Sequence, residues 1–460
     1  MFVQLGDVSW RRFLVRFRGV TQDFKANELR SYWMPFTANR AFQARPRMIE
    51  GAEGIHYITD DGRRVIDSTS GLYCVNAGHC DPHIVDAIRQ AAGVLDYGPA
   101  FQFAHQGAFE LASRLAMLAP DGLDHVFFAN SGSEAVDTAM KLALAYHKAR
   151  GEGSRTRFIG RERGYHGVGF GGMAVGGIPG NRKAFGQQLP GADHLRTTYD
   201  RTRQAFSIGE PEWGAELADE LERIITLHDA SNIAAIVVEP VAGSTGCLPP
   251  PKGYLERLCA IAAKYGVLVI FDEVITGFGR LGHAFAAERY GVTPDLICFA
   301  KGLTNGAVPM SGVLAGCGIY ETMMQGPQFL PEFYHGYTYS AHPLATAAAL
   351  ATLDVYRDKD LFARTAGMEA EFCETMMTLK DAPLVADIRP IGLICGIDLE
   401  TGAQGIGARG YEAMQRAFHE QDLYVRVAAD TMIVAPPLIS EIGDVAEIVS
   451  RIRAVLRTLR

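Results

Sequence analysis

The 460-residue chain lacks several features at once, and each absence excludes a class of function. No apolar run approaches the roughly 18 residues that a membrane span requires. The eight cysteines (Cys74, Cys80, Cys247, Cys259, Cys298, Cys317, Cys373, Cys395) are scattered, with no CxxC pair and no His-rich partner spacing. That argues against a zinc site or a disulfide framework and favours reduced thiols in a cytoplasmic compartment. A large excess of one charge is also lacking: a net −8 gives no electrostatic case for nucleic acid or an anionic membrane. There is no internal repeat, no low-complexity segment and no Ser/His/Asp arrangement with an elbow signature. What is present is a globular composition, 48% hydrophobic against 21% charged, with length for two or three domains.

The first 30 residues stand apart. Trp10-Arg-Arg-Phe-Leu-Val-Arg-Phe-Arg18 is basic and apolar. A twin-arginine export signal would continue into an apolar core, but Val20-Thr-Gln-Asp-Phe-Lys25 follows instead. A transit peptide stays open beside the expected reading, a poorly ordered extension over 1–30.

From about residue 120 to 316, short apolar runs alternate with helical patterns. The runs are His125–Ala129, Arg157–Gly160, Ile233–Val238, Val267–Phe271, Leu296–Phe299 and Gly312–Ala315. Continuous apolar strands separated by helices indicate an α/β domain with a mainly parallel sheet covered on both faces. Ligands sit outside the carboxyl ends of such strands. Gly54–Asp67 reads as a hairpin turning at Asp61-Gly62. An Ala-rich helix over Leu344–Tyr356 leads into further helices and a few strands, Leu393–Ile397 and Leu423–Val427 among them. The expected division is a large domain over 86–349 and a smaller α+β domain built from 31–85 and 350–460.

Candidate chemistry gathers at those strand ends. Lys301 lies two residues past Phe299, and Asp272 directly follows Phe271. A lysine and a carboxylate at neighbouring strand ends suit pyridoxal phosphate, the lysine bonding the cofactor and the carboxylate pairing with its ring nitrogen. Asn130-Ser131-Gly132-Ser133-Glu134 opens a helix and fits either an ordinary N-cap or an anion site. Gly164-Tyr165-His166-Gly167 begins a glycine-rich loop whose tyrosine suits stacking on a flat ring. Gly167, Gly169, Gly172 and Asp193 mimic a dinucleotide fingerprint, but Pro179-Gly180 interrupts it and no apolar helical face is expected. Glu239 ends another strand; Arg426 alternates with apolar neighbours, so it either faces inward to bind a carboxylate or pairs at the surface. Each has a plainer reading alone: a snorkelling lysine, a cap, a loop tyrosine, a solvent-facing carboxylate. Their shared position at one sheet edge favours a site. No metal site is supported.

The stretches SYWMPFTANR, GLYCVNAGH, NSGSEAVDTAMK, GRERGYHGVGFGG, EPVAGSTG, FDEVITGFGRLG, FAKGLTNGAVP, HGYTYSAHP and VRVAADTMIVAPP, from residue 31 to 437, occur in this order. As a set they resemble the class III aminotransferases of PLP fold type I, most of all the omega-amino acid–pyruvate (beta-alanine–pyruvate) enzymes. The resemblance implies a large domain with a mainly parallel seven-stranded sheet plus a smaller α+β domain. It implies pyridoxal 5'-phosphate as cofactor, with Lys301 as Schiff-base lysine and proton shuttle and Asp272 on the pyridinium. Ser131, Gly132 and Ser133 would bind the phosphate, joined by Thr338 across a homodimer or a dimer of dimers. Tyr165 would stack on one ring face and Val274 on the other, with His166 and Glu239 beside the cofactor. Arg426 would clamp a substrate carboxylate and swing away for amines that lack one.

Three departures matter. The usual Trp of GLWCVN is Tyr73 here, which leaves the amine range open. Ala135 replaces a serine, removing a hydroxyl expected near the phosphate loop. Aminotransferases for 4-aminobutyrate and ornithine carry a gating glutamate where this chain has Ser244, which argues for pyruvate as acceptor. The implied reaction is transamination from a beta-alanine-like donor to pyruvate. Other donors (taurine, 4-aminobutyrate, polyamines, simple amines), an aminomutase, decarboxylase or racemase on the same fold, and a PLP-sensing regulator are the rivals.

Overall fold

The computed structural model describes residues 29–459; the expected N-terminal extension lies almost wholly outside them. Contacts divide the chain into two units, residues 1–48 and 49–460. Within the first, the helix Asn39–Ala44 begins where Asn39 Oδ1 accepts from Met34 N at 3.0 Å.

The second unit is organised by a seven-stranded sheet. Its strands run in the order His125–Ala129, Ser311–Ala315, Leu296–Phe299, Leu268–Asp272, Ile233–Val238, Arg157–Arg161, Ala192–Leu195. Only Ser311–Ala315 is antiparallel to its neighbours; the other pairs are parallel. Every residue of the three strands Ile233–Val238, Leu268–Asp272 and Leu296–Phe299 is buried. Their side chains alternate between two apolar clusters, as the two-residue period of a strand requires. Val269, Phe271, Ile297 and Phe299 enter one cluster, while Leu268, Ile270, Leu296 and Cys298 enter the other. The helix Gly132–Ala149 supplies Val136, Ala139, Met140 and Ala143 to the second cluster and so covers that face. The mainly parallel, doubly covered sheet is therefore as expected. The strand Ala192–Leu195 escaped sequence reading because it is an edge strand, half-buried over three of its four residues, with no continuous apolar run.

Two smaller sheets complete the unit. One pairs Ile49–Glu53, His56–Thr59 and Arg64–Asp67 with Leu423–Tyr424, so residues near the two ends of the unit share a sheet. The other holds Val385–Ile391, Ile394–Leu399, Thr431–Val434 and Arg426–Ala428. The run Leu423–Val427, expected as one strand, is thus divided between two sheets at Val425. Its second half turns back through Ala429-Asp430, where Ala429 has φ 51 and Ala428 pairs with Thr431. A two-residue hairpin without Asn-Gly or any glycine carries little signal in sequence. Two further corrections concern the sheet edge and the glycine loop. Asp272 is the last residue of its strand and does not follow it. Phe170–Val175 forms a helix with Gly172, Met173, Ala174 and Val175 buried, where no apolar helical face was expected.

A buried charge cluster joins the C-terminal sheet to the loop after Ile233–Val238. Arg389 pairs with Asp387 and, at 2.7 Å, with Asp398. Its Nη2 and Nε also donate to the carbonyls of Gly246 and Cys247 at 2.8 and 3.1 Å. Removing one partner of such a cluster leaves an uncompensated charge in the interior. Arg389→Met is expected to cost about 3–5 kcal/mol in urea unfolding, because Asp387 is fully buried.

Candidate active site

The strand His125–Ala129 delivers Asn130-Ser131 to the start of the helix Gly132–Ala149. Ser131 is its N-cap, Oγ accepting from Glu134 N at 3.2 Å, while the Glu134 carboxylate accepts from Asn130 N at 2.7 Å. The first-turn N–H groups of Gly132 and Ser133 have no intrahelical partner and carry the positive end of the helix dipole. Cap and anion cradle are therefore compatible in one turn. The surroundings are tight: a Cβ on Gly132 would lie 3.0 Å from Val274 Cγ1. One on Gly167, where φ is +93°, would lie 2.4 Å from Ser133 Oγ. Ser133 Oγ accepts from Val168 N at 3.0 Å, which fixes the glycine-rich loop against the helix start. Ala135 corrects the expectation of a lost hydroxyl near this turn, since its side chain is fully buried in the apolar cluster beneath the sheet.

The reactive groups meet at strands two and three positions along the sheet. Lys301 opens a short 3-10 turn with φ 48, a left-handed conformation that costs of order 1–3 kcal/mol for a residue with a side chain. Burial holds its amine below the usual lysine range. Asp272 Oδ2 accepts from His166 Nδ1 at 2.9 Å, and Oδ1 accepts from Val274 N at 3.2 Å. His166 Nε2 is buried without a partner. Glu239 accepts from Tyr165 N at 2.9 Å and Gly243 N at 3.0 Å, and burial pushes its carboxyl up to about 7. Arg161, buried at the end of its strand, donates to the Glu239 carbonyl at 2.7 Å.

One cavity gathers Gly132, Ser133, Tyr165, His166 and Gly167 from the helix start and the glycine-rich loop. Glu239, Asp272, Val274, Ile275 and Lys301, from the ends of three further strands and the segments after them, line it too. Sequence reading missed Arg161, Gly167 and Ile275 as parts of this environment, and it named His166 without its contact to Asp272. A strand-end arginine and a glycine in a glycine-rich run were available signals; a contact between residues 106 positions apart was not.

Tyr73 and Arg426 stand beside Lys301. Lys301 Nζ lies 5.6 Å from the centre of the Tyr73 ring and Arg426 Cζ 5.7 Å from it. Arg426 is half-buried and makes no ion pair among the described residues, so the surface-pair alternative falls away. Thr338 does not join the cavity within this chain: it is exposed, and its carbonyl accepts from Tyr97 Oη at 3.1 Å.

The residues fit pyridoxal phosphate. The helix start and Ser133 offer donors to a phosphate, the glycines leave room at the backbone, and Asp272 is fixed for a ring nitrogen. The amine of Lys301 faces the same cavity.

Comparison with known proteins agrees. A family model described as aminotransferase class-III matches residues 37–456. The chain is 58% identical over 434 residues to the omega-aminotransferase of Caulobacter vibrioides, covering 94% of this chain and 99% of that protein. It is 45% identical over 435 residues to the omega-amino acid–pyruvate aminotransferase of Pseudomonas putida, covering 94% and 96%. The crystal structure of the omega transaminase from Pseudomonas jessenii in complex with PMP is similar with a TM-score of 0.88 at 33% identity, covering 93% of this chain and 96% of that one.

Two outcomes follow from the cavity walls. Gly167→Ala is expected to lose about 1–3 kcal/mol in urea unfolding from its positive φ, and to weaken cofactor retention on dialysis by displacing Ser133. Glu239, with a folded pKa raised by burial, contributes stability that is present below its ordinary range and lost as pH rises towards about 7. The stability of Glu239→Gln relative to the parent should therefore rise between about pH 4.5 and 7, measured by urea unfolding across that window.

Proposed function

The chain belongs to the class III aminotransferases, and from that premise we propose that it moves the amino group of a beta-alanine-like omega-amino acid to pyruvate, releasing a semialdehyde and L-alanine. The observation that carries this reading is the pair of nitrogen groups around Tyr73. One is the buried amine of Lys301, and the other is Arg426, a guanidinium with no carboxylate partner among the described residues. A donor with an amine at one end and a carboxylate at the other meets both. The names of the two relatives above, an omega-aminotransferase and an omega-amino acid–pyruvate aminotransferase, point the same way.

Pyridoxal phosphate, when bound, supplies an electron sink for the substrate carbon that loses its proton. The first turn of Gly132–Ala149, with Ser131 and Ser133, would hold its phosphate, and Asp272 its ring nitrogen. Tyr165 and Val274 would cover the ring faces, with Glu239 at its edge. His166 orients Asp272 through the 2.9 Å hydrogen bond and keeps that carboxylate turned to the cavity. Lys301 is the base. Its lowered pKa raises the share of neutral amine, the form that takes a proton from the substrate carbon and returns it elsewhere. Arg426 binds the carboxylate of the donor and then that of pyruvate, so one group serves both halves of the reaction. Ser244 is buried and neutral where 4-aminobutyrate and ornithine enzymes carry a glutamate, so Arg426 keeps its charge for the ligand.

A second copy of the chain completes the reading. Thr338 is exposed among Tyr97, Phe101, Tyr334 and Tyr339, all of them 40% or more exposed, which marks an apolar face suited to a homodimer. A cytoplasmic setting suits the eight free thiols.

Lys301→Ala is expected to abolish alanine formation from beta-alanine and pyruvate, and turnover retained within about tenfold of the parent would overturn the assignment of the base. Asp272→Asn should lower the same rate by about 10²-fold or more while the variant stays folded, checked by circular dichroism beside the alanine assay.

A further inference from the structure

Arg426 and Tyr73 each have an unmet need. Arg426 Nε and Tyr73 Oη are both buried without a hydrogen-bond partner, one a donor and the other able to accept. The guanidinium stands 5.7 Å from the centre of the phenol ring, within cation–π range. Burial pushes the phenol up to about 12, so it stays neutral and cannot cancel the guanidinium charge as a carboxylate partner would.

The turn that presents Tyr73 is fixed at some cost. Ser70, Gly71 and Tyr73 all have positive φ, at 47, 66 and 63. Asp67 pins the turn by accepting from Thr69 N at 3.0 Å and Gly71 N at 2.6 Å. Arg280, fully buried, donates to Ser70 Oγ at 3.1 Å and Asn76 Oδ1 at 2.7 Å. The same turn holds the backbone of Arg426, whose N–H donates to Thr69 Oγ1 at 3.3 Å. Strain retained under this much bracing points to a position that is used.

We propose that Tyr73 is a positioning residue that seats Arg426: its ring face holds the guanidinium while both groups lack a partner, and on binding of a substrate carboxylate Nε turns to the phenol oxygen, which leaves the two Nη groups facing the carboxylate beside Lys301. The inference rests on Arg426 as the carboxylate clamp, and it assigns Tyr73 to selecting carboxylate-bearing substrates over amines that lack one.

Propionate, a carboxylate with no amino group, separates the two readings. Its dissociation constant is measured by titrating the visible absorbance of the holoenzyme for the parent, Tyr73→Phe, Arg426→Leu and the double variant. Tyr73→Phe should weaken propionate about 3- to 10-fold, the worth of one hydrogen bond, while in the Arg426→Leu background the same change should alter binding by less than about 2-fold. Unchanged binding in Tyr73→Phe, or an equal loss in both backgrounds, overturns the seat. If Arg426→Leu binds propionate like the parent, the clamp reading falls and the seat with it. If Arg426→Leu loses propionate and Tyr73→Phe does not, the seat alone falls. Tyr73→Trp, which keeps a ring face but offers a donor in place of the acceptor, is the second variant and should weaken propionate at least as much as Phe.

Discussion

An amine buried at the carboxyl edge of a doubly covered sheet is the constraint to which the rest of this molecule answers. Taking a lysine out of water is costly unless it is neutralised or paired. Here burial lowers the Lys301 pKa, and the chain accepts a left-handed backbone at the same residue. Neither cost would survive in a strand end that served only packing. The sheet is what makes burial possible, because strands buried on both faces leave no solvent near their ends except through the cavity. Parallel strands then bring Glu239, Asp272 and Lys301 out at one edge, from three adjacent strands.

Once the amine is buried, its neighbours must be held, since a mobile carboxylate in a low-dielectric cavity would pair with it and quench it. Asp272 is held by His166 and by Val274 N. Glu239 is held by two backbone N–H groups and is itself pushed towards neutrality by burial. The loop carrying Gly243 is clamped further out by Arg389 at Gly246 and Cys247, so a charge cluster in the C-terminal sheet stiffens the floor of the cavity. That chain of contacts explains why so much polar material is buried in a core otherwise made of Ile, Leu and Val.

Much of this was legible in the chain before any coordinates, for a physical reason. Central strands are buried on both faces and therefore read as unbroken apolar runs, and Ile233–Val238 and Leu296–Phe299 have the bounds expected of them. The charged residue that ends such a run is conspicuous, which is why Lys301, Asp272 and Glu239 could be picked out. What failed was whatever depends on an edge or a turn without glycine. Ala192–Leu195 is half-wet, and the Ala429-Asp430 hairpin bends on an alanine. Ala135 shows a different limit: a residue next to a loop in sequence points by helical phase into the core, and only its phase tells which.

The substrate end of the site is assembled from parts that share no sheet-edge logic. Lys301 comes from the seven-stranded sheet, Arg426 from the start of a C-terminal strand, and Tyr73 from the turn after the Arg64–Asp67 strand. Between them stands the phenol ring, with the Lys301 amine 5.6 Å and the Arg426 guanidinium 5.7 Å from its centre. On the proposed reading a change of that side chain would alter how a substrate spans the amine and the guanidinium. Specificity would then draw on the strained turn, where the backbone is costly to hold and the apolar pattern of the sequence is silent.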